Sequence, residues 1–149
     1  MVTALGRMAQ AGAVAALVLA PAAAQSPVPD KPFADHQLVL QLTDRDRAKQ
    51  ALVISVANNL LKAYGPDKIA IEVVAFGPGI DLLRADSPNR ARVDSLIAQG
   101  VRFDICMNTV DTLEREGQHV DINPKAVKVQ VGVEQILQLT EKGYTLVRP

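Results

Sequence analysis

From His36 onward, short runs of branched and aliphatic residues alternate with longer stretches in which apolar residues recur every three or four positions. The first pattern fits strands and the second amphipathic helices. Their alternation predicts an α/β fold with a mostly parallel sheet of about five strands. The first strand is His36 to Leu42, ended by Thr43-Asp44, whose side chains compete for backbone hydrogen bonds. A helix from about Asp46 follows, with Leu52, Val56 and Leu60 flanked by Val53, Ala57 and Leu61 in one wide stripe. Gly65-Pro66 ends it. Lys68 to Phe76 is nearly continuous in apolar residues, the signature of a strand in the middle of a parallel sheet, covered on both faces.

After a Gly77-Pro78-Gly79 turn and a short Asp81 to Arg84 segment, Ser87-Pro88 reads as the cap and first residue of a second helix. Val93, Leu96 and Ile97 form its stripe and Gly100 closes it. Val101 to Cys106 alternates, with Arg102, Asp104 and Cys106 on one side, so one face of that strand is expected to be thinly covered. The remaining pattern gives a helix from Asn108 to Glu116, a strand from Ala126 to Val131, a helix from Val133 to Lys142 and a strand from Tyr144 to Val147.

The first 35 residues read differently. Arg7, the uncharged run Ala11 to Ala20, Pro21 and Ala22 to Ala24 have the order of a secretory signal peptide over residues 1–24, with cleavage expected before Gln25. The apolar run is about half of the roughly 20 residues a membrane-spanning helix needs. A periplasmic or secreted protein with no membrane association after cleavage is therefore expected. Residues 25–35 hold three prolines among polar neighbours and read as an extended tether. The domain then occupies residues 36–149.

Composition narrows the chemistry. Lys plus Arg and Asp plus Glu number 16 each, and the basic residues are scattered singly, which argues against nucleic acid as a partner. With 3 % aromatics and no Trp, stacking on bases is nearly unavailable. One Cys and two distant His, His36 and His119, offer no metal-ligand spacing, so no metal is expected. Thr43-Asp44-Arg45-Asp46 lacks the Ser/Thr/Gly-rich character of a flavin phosphate loop, and Gly77-Pro78-Gly79 has neither the third glycine nor the free amide of a dinucleotide fingerprint. No cofactor is expected.

What remains gathers at the carboxyl ends of the second and third strands, where open parallel sheets bind ligands. Cys106 ends a strand there, and Asn108 and Thr109 begin the next helix. A helix N-terminus favours thiolate over thiol, so Cys106 is the candidate catalytic residue. It reads equally as a small buried hydrophobe. Gly77 and Gly79 on the adjacent turn, with Asn108 and Thr109, are candidate ligand-binding residues, although the turn itself needs no ligand to explain it. Arg84 is a candidate anion contact, although a lone Arg in a short connecting segment is usually a solvated surface residue. Arg102 and Asp104, two apart on one face, are a pair able to neutralise each other.

Several segments together carry a resemblance: Leu38-Val-Leu-Gln-Leu42, Asn58-Asn-Leu-Leu61 before Tyr64-Gly-Pro66, Glu72-Val-Val-Ala-Phe-Gly-Pro-Gly79 and Leu82-Leu-Arg84. Gly100-Val-Arg-Phe103, Cys106 with Asn108-Thr109, and Gly143-Tyr-Thr-Leu-Val-Arg-Pro149 continue it. Over residues 36–149 the chain resembles the DsrE/DsrF-like family, as an exported member. The resemblance implies a flavodoxin-like three-layer α/β/α sandwich, assembly into small homo- or hetero-oligomers, and a sulfur-relay role, and for this chain a homo-oligomer, a trimer or hexamer, is expected. In that role a Cys at the position of Cys106 carries sulfur as a persulfide between a donor and an acceptor protein. Two further readings stay open: a non-catalytic module binding a small molecule or anion at Gly77 to Gly79, and an oligomeric protein whose Arg102 and Asp104 face serves assembly alone.

Overall fold

The computed structural model describes Lys31 and residues 33–149, so the predicted signal peptide and most of the tether lie outside the described residues. Ten elements follow in order: β1 His36–Leu42, α1 Arg47–Tyr64, β2 Ile69–Ala75, a 3-10 segment Gly77–Leu83, α2 Arg90–Ala98, β3 Arg102–Cys106, α3 Met107–Arg115, β4 Val127–Val129, α4 Gly132–Glu141 and β5 Thr145–Val147. The five strands form one all-parallel sheet in the order β4-β3-β2-β1-β5, with β2 in the middle. Helices cover both faces, giving an α/β/α sandwich that is flavodoxin-like in its layers and has its own strand order.

That order fixes where the helices go. Three successive crossovers step in one direction from β1 to β4, and a right-handed crossover places each helix on the same face. The last crossover returns over the sheet to the far side of β1, which places α4 on the opposite face. Two cores result. The large one joins Leu38, Leu40, Ile71, Val73, Phe103 and Ile105 of the sheet to α1, α2, α3 and the 3-10 segment. The small one holds Val39 and Val74 under Ile136 and Leu139 of α4, with Phe76 and Tyr144 beside them. Contrary to the thin cover expected over the polar side of β3, α4 lies on that face and Asp104 and Cys106 are buried beneath it, with Arg102 partly exposed.

Local chemistry sets the boundaries. Asp46 caps α1, its Oδ1 accepting from the Ala48 and Lys49 amides at 2.9 and 3.0 Å. Gly65 closes α1 at φ 88°, a left-handed conformation that costs glycine nothing. The buried stripe of α1 holds Val53, Ala57 and Leu61 as predicted, together with Ile54; Val56 and Leu60 are partly buried against it, and Leu52 is 47 % exposed. α2 starts later than predicted: Ser87 to Asn89 form a turn in which the Ser87 carbonyl accepts from the Arg90 amide, so Asn89 precedes the first helical residue. β4 is shorter than the Ala126 to Val131 run, because Gln130 and Val131 leave the sheet to begin α4. Where the tether enters, Lys31 Nζ donates to the Pro66 and Ile69 carbonyls at 2.6 and 3.0 Å, at the amino edge of the sheet.

Candidate functional site

The carboxyl edge of the sheet holds two neighbouring regions, one on each face. On the α4 face stands Cys106, the last residue of β3 and the N-cap of α3. Its side chain is 6 % exposed. The Gly132 N–H, in the first turn of α4, donates to Cys106 Sγ at 3.3 Å. The thiol in turn lies 3.7 Å from the Gln130 carbonyl, to which it donates. Two helix N-termini therefore converge on one sulfur.

Gly132 can approach this closely because it has no side chain. A Cβ there would sit 3.2 Å from Cys106 Cβ and 3.3 Å from two Phe76 side-chain carbons. The loop before α4 is fixed from α3: the Asn108 amide donates to the Gln130 carbonyl at 3.0 Å, and Gln130 Nε2 donates to Asn108 Oδ1 at 2.7 Å. Asn108 thus holds the strand-to-helix loop that presents the Gly132 amide to the sulfur.

On the opposite face lies a cleft of about 410 Å3, lined by Arg45, Gly77, Pro78, Asp81, Thr109 and Thr112 among others. The Gly77 N–H donates to Thr109 Oγ1 at 3.0 Å, and Arg45 Nε lies 3.4 Å from Asp81 Oδ2. The cleft brings together Gly77, Asn108 and Thr109 of the predicted ligand set. Gly79 has a packing role: it is buried, and a Cβ there would overlap the Leu42 carbonyl, so glycine lets the 3-10 segment press on the end of β1. Arg84 is engaged elsewhere, with Asp86 at 3.4 Å and the His119 carbonyl at 3.3 Å.

Below Cys106 on the α4 face is a charged cluster. Arg102 Nε lies 2.6 Å from Asp104 Oδ1 and 3.7 Å from Glu72 Oε2 on the neighbouring strand. From α4, Gln135 Nε2 donates to Glu72 Oε2 at 3.2 Å. The predicted Arg102 and Asp104 pairing is present, but Glu72 makes it a triad. Asp104 is fully buried, and its Oδ2 has no partner while the carboxyl is ionised. Burial pushes the Asp104 carboxyl up to about 7, the Glu72 charge adds to this, and Arg102 opposes it. In the protonated form the Asp104 carboxyl can donate a side-chain hydrogen bond to Glu72, a further cause of the upward shift.

Sequence reasoning missed Gly132, Gln130, Phe76 and Glu72. A glycine at the start of a predicted helix, where it weakens the first turn, was the one available sign that something packs closely there. Among the described residues no three His, Cys, Asp or Glu side chains are grouped to hold a metal, and no helix is long and apolar enough to cross a membrane.

No family model matches the chain, and neither does any curated protein. Among solved structures, the chain is similar to MTH1491 of Methanobacterium thermoautotrophicum, described as a protein of unknown function. Identity is 32 % and the TM-score 0.69, over 77 % of this chain and 100 % of that one.

Proposed function

We infer the function of this chain, which belongs to the same family as MTH1491, from its own residues, since that relative is described as of unknown function. We propose that it is a sulfur carrier that holds sulfane sulfur as a persulfide on Cys106. The observation that carries the reading is the sulfur's position at the carboxyl edge, between the N-termini of α3 and α4, with the Gly132 amide 3.3 Å away.

In the proposed step the Cys106 thiolate attacks the outer sulfur of a donor persulfide. A new sulfur–sulfur bond forms on Cys106, the donor's own sulfur–sulfur bond breaks, and the donor thiolate leaves with that electron pair. No external oxidant or reductant is consumed. The negative charge of the resulting persulfide lies where the Gly132 amide and the two helix ends stabilise it. The resemblance to sulfur-relay proteins supports the same role, with a donor and an acceptor protein as partners. In this reading the protein is exported and works as a homo-oligomer, a trimer or a hexamer. Exposed Val133 and Leu137 on α4, beside the β5 edge carrying Leu146 and Val147, supply apolar surface suited to assembly.

The cleft around Gly77 and Thr109 supports a second reading, a non-catalytic module for a small molecule or anion. Intact mass separates the two. After incubation with polysulfide or thiosulfate, the carrier gains sulfur and the Cys106→Ser variant gains none. An unchanged mass leaves the binding module as the better account.

A further inference from the structure

Helix α4 touches the site at two points one turn apart. Its Gly132 amide holds the Cys106 sulfur at 3.3 Å, and its Gln135 side chain holds Glu72 at 3.2 Å. Elsewhere its buried apolar contact is small, Ile136 and Leu139 on Val39 and Val74. The same helix therefore senses both the thiol and the carboxyl cluster. Resting on the reading of Cys106 as the working group, we propose that α4 is a pH-sensitive clasp over Cys106, closed while Asp104 holds a proton and loosened when that proton is lost.

The charges around Asp104 set the direction. β2 contributes Glu72, β3 contributes Arg102, and β4 pairs Asp104 with the apolar Val127. α4 contributes the uncharged Gln135, and Tyr144 beyond it acts electrostatically on Arg102. With Asp104 protonated, Arg102 faces one carboxylate charge, and the Asp104 carboxyl can donate to Glu72. Without that proton, the buried Asp104 carboxylate and the part-buried Glu72 face one guanidinium, and Asp104 Oδ2 has no donor. Water can relieve this only from the α4 face, because the other face of the sheet is packed under α1, α2 and α3. Lifting α4 lets water in and removes the Gly132 cover from the sulfur. Acid conditions thus shelter Cys106, and mildly alkaline conditions open it to a donor.

The test measures labelling of Cys106 by a neutral thiol reagent in the native protein, from about pH 5.5 to about pH 8.5, as the ratio of wild type to Asp104→Asn. The ratio cancels the intrinsic pH dependence of thiol chemistry, and the substituted amide imitates the protonated acid. The ratio is expected near one at the acid end and to rise several-fold through neutrality. Loss of a negative charge near the thiol would by itself push the ratio the other way. Hydrogen exchange of the α4 peptide in wild type, corrected for intrinsic rates, should lose protection over the same range. It needs no variant, and Glu72→Gln should abolish the change. A flat ratio, or α4 protection independent of pH, overturns the clasp. Sulfur uptake from polysulfide is scored separately, so a protein that shows the rise and takes no sulfur keeps the clasp and loses the carrier reading.

Discussion

The amide of Gly132 points at the sulfur of Cys106 from 3.3 Å, across 26 positions of chain. The contact requires a residue without a side chain, since a Cβ on residue 132 would crowd both Cys106 and Phe76. Gly132→Ala should therefore shift α4 by a few tenths of an ångström. The expected outcome is native Cys106 labelling several-fold faster than wild type, at a stability cost of about 1 kcal/mol from overpacking. Labelling at the wild-type rate would show that the Gly132 contact does not shelter the thiol.

Gly79 makes a tighter approach to backbone than Gly132 does to side chains. A Cβ on residue 79 would overlap the Leu42 carbonyl, and backbone at a strand end cannot give way cheaply. Gly79→Ala should cost about 3 kcal/mol in denaturant unfolding. A loss under about 0.5 kcal/mol, within the usual range of surface substitutions, would contradict this packing.

How much of this was legible in the sequence depends on the range of the interaction. The strand-to-helix junction at Cys106 was legible, because alternation in Val101 to Cys106 and the polar Asn108-Thr109 pair are local signals. So was the central place of β2, read from its continuous apolar run. In α1, Val53, Ala57 and Leu61 turn inward as read, but Ile54 is buried in place of Leu52, because the two are equally apolar and only packing against the sheet decides which turns inward. Gly132 and Glu72 reach the site through loop return and strand register. The pairing of Glu72 with Arg102 exists only once β2 and β3 are aligned, and no local pattern announces it.

Acidity should act on stability through Asp104. Its folded-state carboxyl is held at about 7, above the ordinary 3.8, so the folded state binds the extra proton between those values. Stability should fall as pH rises through that window and then level off, since the unfolded state has already released its proton. Thermal unfolding of Asp104→Asn should lack this fall. A wild-type Tm that rises steadily from about pH 4 to about pH 7, with the variant unchanged, would contradict the assignment.

Two expectations concern the whole protein. N-terminal sequencing from the native host should begin at or near Gln25, and a soluble form retaining Met1 would contradict export. Light scattering of the purified protein should report a trimer or hexamer. A monomer at micromolar concentration would remove assembly as the explanation for exposed Val133 and Leu137.

The central claim is that Cys106 carries sulfane sulfur, and cyanolysis tests it most directly. The native protein is loaded with polysulfide, desalted and treated with cyanide, which takes up an outer persulfide sulfur as thiocyanate. The account predicts about one equivalent of thiocyanate per chain from the single Cys and none from Cys106→Ser. Thiocyanate from wild type at the level of the Cys106→Ser variant would contradict it.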